Sequence, residues 1–311
     1  MILSVCLNPA LQRTLWFEQL SINEVNRARR LTLSAGGKGV NVARVLGQLG
    51  AETRLLCFLG GEIGELVKKL LRQEKIKTEF VPTRSATRIC YTIIDSSHKT
   101  QTELVEEAQE VSLDEVTAIR SLYRKLLSHC QMVTISGTAP PGAPEDSYQD
   151  FVQLAGDQGI PAIVDAPGKW MLLSLKAHPF IVKGNVKELE AALEKPLNDH
   201  QELSRAMNWL HQRGARSVLA TKGADGAYLW HEGDFYRLIP PELQVINPIG
   251  SGDAMTAGLA AGLCQNQPLL EAAKLGVACG AANVLTPIAG SVRLEDVRKI
   301  LRQVKIKKIF E

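Results

Sequence analysis

Residues 247–258 read NPIGSGDAMTAG. Two glycines, a serine and an aspartate follow a proline. Small and apolar residues then take over at helical spacing: Ala254, Met255, Ala257, Leu259, Ala260, Ala261 and Leu263. Gly250, Ser251, Gly252 and Asp253 therefore fall at a loop-to-helix junction. The first N–H groups of a helix lack a partner within it and carry the positive end of its dipole, so such a junction binds anions. A carboxylate is out of place there unless it acts on what binds. Phosphoryl transfer to a hydroxyl needs both groups. The N–H groups of Gly250 through Asp253 would stabilise charge on the moving phosphoryl group, and Asp253 would accept the hydroxyl proton.

Three other stretches could serve such a reaction. In AGGKGVNVARVLGQLG, residues 35–50, Gly36, Gly37 and Gly39 let the backbone approach a ligand, and Lys38 places a cation among them. The stretch also reads as a plain turn. It is neither a Walker loop nor the Rossmann G-x-G-x-x-G. In VKGNVKELEAAL, residues 182–193, Asn185 and Glu188 share one face of a helix start. Their oxygens suit Mg²⁺ held largely through water; the same spacing is a capping box. ATKGADGAYLW, residues 220–230, is a strand end followed by a glycine-rich turn, which equally suits a β-hairpin.

These motifs need elements to hold them. MILSVCLN, TRLLCFLG, QMVTISG, PAIVDAPG, PFIVKGN and SVLATKGADG are short apolar runs that end in Gly, Asn or Asp, as strands buried on both faces do. GVNVARVLGQLG, SYQDFVQLAGDQG and ELSRAMNWLHQRG between them have helical periodicity. The alternation predicts a parallel sheet covered by helices on both faces. Residues 12–34 and 87–105 instead alternate at period two and predict antiparallel strands wet on one face, a small sheet apart from the main one. Placed beside the strand carboxyl ends, it would be a lid.

The chain has 311 residues, 45% apolar and 22% charged, with 36 basic residues against 33 acidic ones for a net charge of +3. That balance argues against a nucleic-acid or membrane partner, and the basic C-terminal RQVKIKKIF reads as a solvated terminal element. No apolar run reaches the roughly 20 residues of a membrane span. The N-terminus lacks the basic region of a signal peptide. The six cysteines are scattered without metal-ligand spacing, which points to a reducing cytoplasm.

Taken in order, the motifs resemble the phosphofructokinase-B branch of the ribokinase-like sugar kinases. AGGKGVNVARVLGQLG is similar to that family's first signature and NPIGSGDAMTAGL to its second. SGTAPPG resembles S-G-S-x-P-x-G, VKGNVKEL resembles K-P-N-x-x-E-L, and LNPALQRTL resembles L-N-P-A-x-D-x-T. The match runs from about residue 4 to residue 292. GGKGVNVAR, EVNRA, TRI and QTELVE look most like the 1-phosphofructokinase and tagatose-6-phosphate kinase branch.

The resemblance implies an α/β fold, a ribokinase-like three-layer α/β/α sandwich forming a single domain over 1–311, with a mostly parallel central sheet and a small β-sheet lid. It implies ATP and Mg²⁺, and a ketohexose phosphate as substrate: tagatose 6-phosphate, fructose 1-phosphate or fructose 6-phosphate. Asp253 would be the base, and Gly250, Ser251 and Gly252 the anion hole. Asn185 and Glu188 would hold the Mg²⁺ region, largely through water, with Lys183 near the phosphates. Thr221, Gly223 and Gly226 would line the nucleotide, with Asn283 near the adenine. Arg27, Lys38 and Arg88 would grip the phosphate already on the sugar, for which guanidinium groups are suited by bidentate bonding. Gly37, Asn41 and Ser136 would contact sugar hydroxyls. The lid sheet has a face that a second subunit could cover, making a homodimer.

The chain departs from the pattern in places. Gln12 stands where the family has a sugar-binding aspartate, Gly184 replaces a proline, Ala108 and Gln109 replace Gly-Pro, and Lys222 replaces Leu or Thr. A glutamine amide left without an acceptor in a closed site would cost roughly 1–3 kcal/mol. On that ground Gln12→Asp is expected to raise kcat/KM on the common ketohexose phosphates about tenfold. The sequence is compatible with two other functions. One is a kinase of a non-phosphorylated sugar or a nucleoside on the same fold. The other is a sugar-phosphate-binding protein that has lost turnover.

Overall fold

The computed structural model describes residues 1–310. The apolar runs form one 10-stranded sheet. Its parallel part runs in the order β11 (Ser217–Thr221), β10 (Ile181–Asn185), β9 (Ala162–Asp165), β8 (Met132–Ser136), β1 (Ile2–Cys6), β4 (Thr53–Gly60) and β5 (Thr78–Thr83). An antiparallel extension follows β11: β12 (Ala227–His231), β13 (Asp234–Ile239) and, at the edge, β14 (Lys305–Phe310). The basic C-terminal stretch is thus an edge strand, and lysines suit an edge because they discourage further pairing.

Helices cover both faces, so the domain is a three-layer α/β/α sandwich. On one face lie α1 (Lys38–Gln48), α2 (Gly61–Gln73), α8 (Ser251–Cys264), α9 (Leu269–Asn283) and α10 (Leu294–Leu301). On the other lie α3 (Leu113–Leu127), α4 (Ser147–Gly156), α5 (Gly168–Ser174), α6 (Val186–Leu193) and α7 (His200–Gln212). Strands β1 and β8 are buried throughout because both their faces meet helices. Helices α8 and α9 approach closely: a Cβ at Gly258 would lie 2.9 Å from Gly276 Cα. This contact seats α8 with its N-terminus at the carboxyl ends of the parallel strands, where open α/β sheets bind ligands. No helix among the described residues is long and apolar enough to cross a membrane.

The second sheet is the expected lid, with the order β3 (Arg30–Gly36), β2 (Ala10–Phe17), β6 (Arg88–Asp95), β7 (Thr100–Val105). Two details differ from the expectation. β2 and β6 pair in parallel, because each enters the lid from the carboxyl edge of the main sheet. Residues 18–29 are a loop rather than strand, so Arg27 lies outside the lid strands.

Candidate active site

A cavity of about 450 Å³ opens between the lid and the N-terminus of α8. Gly250 begins that helix in the left-handed region at φ 80°, and a Cβ there would lie 2.2 Å from Gly290 N, so only glycine fits. The turn is braced from outside. Asn247 Oδ1 accepts from Ile249 N at 2.9 Å, and Ser251 Oγ donates to Pro248 O at 2.7 Å. No side chain caps α8. Among the described residues the N–H groups of Gly250, Gly252 and Asp253 have no hydrogen-bond partner, and all three residues line the cavity. Unpartnered N–H groups at a helix start are a geometry suited to an anion.

Asp253 lies in the first turn of α8, 6% exposed. Burial first, and then the neighbouring Asp165 carboxylate, push its carboxyl up to about 6, against Lys38, Lys183 and a hydrogen bond from Asn41. That bond runs from Asn41 Nδ2 to Asp253 Oδ2 at 2.7 Å. Asn41 Oδ1 in turn accepts from the buried Arg44 guanidinium at 2.7 Å. Arg44 is held by Ala35 O at 2.5 Å, Ala289 O at 3.1 Å and the Glu74 carboxylate. Asn41, expected at the sugar hydroxyls, lines the cavity and gives its amide N–H to Asp253.

Behind Asp253 lies a charge cluster centred on Asp165, at the end of β9 and fully buried. Asp165 accepts from Lys183 Nζ at 2.6 Å, Lys38 Nζ at 3.3 Å and Thr256 Oγ1 at 2.9 Å. Burial opposes its ionisation, but the two ammonium groups and these bonds outweigh burial and hold the carboxyl below the usual range. Lys38 also donates to Glu188 Oε1 at 2.9 Å. Its ammonium is thus engaged with two carboxylates, and Lys38 lines the same cavity as Arg88.

Asn185 and Glu188 form the capping box of α6: Asn185 Oδ1 accepts from Glu188 N, and Glu188 Oε2 accepts from Asn185 N, each at 2.8 Å. Both residues line the cavity. No group of three or more His, Cys, Asp or Glu residues able to hold a metal occurs among the described residues. A Mg²⁺ bound mainly by water and phosphate oxygens needs only one or two carboxylates, and Glu188 fits that part. The side-chain oxygen of Asn185 faces its own helix instead.

At the lid end, Gln12 and Arg88 line the cavity, as does Gly37, whose φ of 112° requires glycine. Gln12 Nε2 donates to Thr92 Oγ1 at 2.8 Å. The glutamine donor thus has an acceptor inside the lid, which overturns the expectation of an unsatisfied amide. Arg88 donates to Glu106 O at 3.1 Å and Asn8 O at 3.2 Å, while its Nε is buried without a partner. Two backbone anchors fix the guanidinium and leave further N–H groups for an anion.

Three expected residues line neither this cavity nor the one that adjoins it. Arg27 is exposed on the 18–29 loop. Ser136 is fully buried at the end of β8, level with Asp165, and its Oγ has no partner. Asn283, expected near an adenine, is fully buried and lines neither this cavity nor the one beside it. It donates to Ile249 O at 2.8 Å and Ser251 Oγ at 3.2 Å, and accepts from Ser291 N at 3.0 Å. Its role is to hold the α8 turn.

The adjoining cavity, about 500 Å³, shares Thr221, Ser251 and Gly252 with the first. Gly223 and Gly226 line it, with Met255, Val277, Leu243 and Val245 giving it an apolar character. The ATKGADG stretch is indeed a hairpin turn between β11 and β12; a Cβ at Gly226 would lie 2.0 Å from Leu238 O. Lys222 sits 3.8 Å from Asp225 within that turn.

Asp165, Arg44 and Thr256 escape a reading of the sequence. Asp165 leaves one trace: PAIVDAPG ends an apolar strand on a carboxylate, at the sheet edge where ligands bind. Arg44 and Thr256 are ordinary helix residues until the fold brings them to their partners.

The pfkB family carbohydrate kinase model matches residues 5–295. The chain is 32% identical over 309 residues to a tagatose-6-phosphate kinase of Staphylococcus epidermidis, covering 98% of this chain and 99% of that protein. The tetrameric inhibited form of phosphofructokinase-2 from Escherichia coli superposes with a TM-score of 0.89 at 26% identity, covering 97% and 98% of the two chains. A protein described as "Possible 1-phosphofructokinase" from Thermotoga maritima superposes at 0.91, with 25% identity and 100% of each chain covered.

Proposed function

The chain belongs to the pfkB family of carbohydrate kinases, and on that premise we propose that it transfers the γ-phosphoryl group of ATP to a hydroxyl of a ketohexose phosphate: tagatose 6-phosphate, fructose 1-phosphate or fructose 6-phosphate. The observation that carries this reading is the Asp253 carboxyl beside helix N–H groups with no partner. Asp253 takes the proton of the attacking hydroxyl. A carboxyl near 6 is ionised at neutral pH yet basic enough to bind that proton as the bond forms. The N–H groups of Gly250, Gly252 and Asp253 meet the charge on the transferred group. Lys183, kept against Gly252 by Asp165, adds positive charge there. The apolar cavity beside Thr221 suits a nucleotide base. Mg²⁺ would be held by Glu188 through water and would neutralise phosphate charge.

Arg88 would bind the phosphate the sugar already carries, and Gln12 Oε1 a sugar hydroxyl. The outer lid face exposes Leu31, Leu33 and Leu104, an apolar surface suited to cover by a second copy. The described cysteines are all free, which fits a reducing cytoplasm.

The test measures ATP consumption, with and without Mg²⁺, on the three ketohexose phosphates, the plain sugars and a nucleoside. Turnover of one phosphorylated ketose well above its plain sugar supports the reading. Preference for the plain sugar overturns the substrate class. Calorimetric binding of a sugar phosphate with no turnover on any compound would make the protein a binder.

A further inference from the structure

The cavity contains a carboxylate that the proposed reaction leaves unused. Glu103 lies on β7 and lines the cavity together with Val105. Across the sheet it is level with Thr92 on β6, and Thr92 is the residue that accepts the Gln12 amide. Side chains alternate along a strand, so Gln12, Thr92 and Glu103 share the lid face turned to the cavity, Gln12 lying opposite Cys90, one pair along from the Thr14, Thr92 and Glu103 row. Among the described residues the Glu103 carboxylate has neither a hydrogen bond nor an ion pair, although its backbone belongs to the β6–β7 ladder. The other acidic groups of these strands and of the residue after β7 are engaged: Asp95 accepts from Leu20 N and His98 N, and Glu106 accepts from Ile89 N. Glu103 as a whole is exposed, yet burial still pushes its carboxyl above the ordinary glutamate range. It is a carboxylate partly withdrawn from water and given nothing to bond.

Gln12 supplies the reason for one. Its Nε2 is committed to Thr92, so it presents a single neutral acceptor, Oε1. An aspartate at that position would present two charged acceptors. We propose that Glu103 is a specificity-determining acceptor for a sugar hydroxyl, supplying from β7 the charge that position 12 on β2 lacks. The inference rests on the sugar-phosphate kinase reading. Arg88 and Glu103 lie on either side of Cys90, whose thiol feels both charges. The lid thus offers a cation for the phosphate and an anion for a hydroxyl. A hydrogen bond to a charged group corresponds to about a 10- to 150-fold change in affinity.

The experiment compares the parent with Glu103→Ala and Glu103→Gln on the preferred sugar phosphate and on deoxy analogues that each lack one hydroxyl. Glu103→Ala is expected to raise the sugar-phosphate KM at least about tenfold with the ATP KM unchanged, and Glu103→Gln to recover part of the loss. On one deoxy analogue the Glu103→Ala penalty should vanish, because the partner hydroxyl is already gone. An unchanged KM, or the same penalty on every analogue, overturns the inference. If the parent turns over no sugar phosphate, the kinase reading falls. Calorimetric titration of the parent and Glu103→Ala with the same analogues then decides the role of Glu103 by the same criterion.

Discussion

Asn41 and Asp253 lie 212 positions apart and are joined by a 2.7 Å hydrogen bond. One sits in the first turn of α1 and the other in the first turn of α8, so the bond ties two helix starts together. Arg44 determines which end of the amide faces Asp253. By donating to Asn41 Oδ1 it leaves Nδ2 for the carboxylate. Asp253 Oδ1 has no hydrogen bond among the described residues and is the oxygen available to a substrate hydroxyl.

Asp253→Asn is expected to lower kcat at least about a hundredfold while leaving both KM values near those of the parent. It should also stabilise the protein at neutral pH. The folded carboxyl titrates near 6, above its unfolded value of about 3.9. The acid's contribution is therefore full below about pH 4 and lost as pH rises through about 6. Thermal melting at pH 7.5 should show the variant more stable by on the order of 2 kcal/mol, with the gap closing near pH 4. A variant with more than half the parent turnover would remove Asp253 as the base.

The acid limb of the kcat/KM profile should fall near pH 6, where Asp253 becomes protonated. Asp165→Asn should move that limb to lower pH, because it removes the like charge and leaves Lys38 and Lys183 to act on Asp253. The same change strands Lys183, 3% exposed, without its carboxylate, at a cost of about 3 kcal/mol or more. An acid limb that stays in place in the variant would mean that Asp165 does not tune the base.

Arg88→Ala is expected to raise the sugar-phosphate KM about 10- to 150-fold and to leave the ATP KM unchanged. The effect should be absent on the unphosphorylated sugar, since the guanidinium is assigned to the phosphate. Equal losses on both sugars would move Arg88 from substrate binding to lid structure.

Gln12→Asp is now expected to lower kcat/KM on the best ketohexose phosphate, by about tenfold. The aspartate would lose the donor to Thr92 Oγ1 and put a second carboxylate on the lid face that carries Glu103. The comparison is a parallel rate measurement on all three ketohexose phosphates. A gain on any of them would restore the simpler view that glutamine is a defect at this position.

The chain itself determined whatever depends on neighbours in sequence. The anion site at 250–253 follows from glycine's access to positive φ and from helix N–H groups that cannot find a partner. The capping box at Asn185 and Glu188 follows from their spacing, and the layered fold from the alternation of apolar runs with helical periodicity. Tertiary structure decided which side chains face one another. The spacing of Asn185 and Glu188 suits a metal or a helix cap equally, and the reciprocal backbone bonds commit Asn185 Oδ1 to its own helix. Asp165 became the hub of Lys38, Lys183 and Thr256 only because β9 lies beside β10 and beneath α8. Asn41 lines the cavity, as its position in the motif suggests, but its amide also bonds Asp253, which its spacing in the sequence does not encode. Arg27, Ser136 and Asn283 have residue types suited to ligands but lie off both cavities. In each case the residue type was suited to the expected role, but a hydrogen bond is made to whichever group lies within about 3 Å. Strand order and helix docking decide that distance, and residue spacing does not encode it.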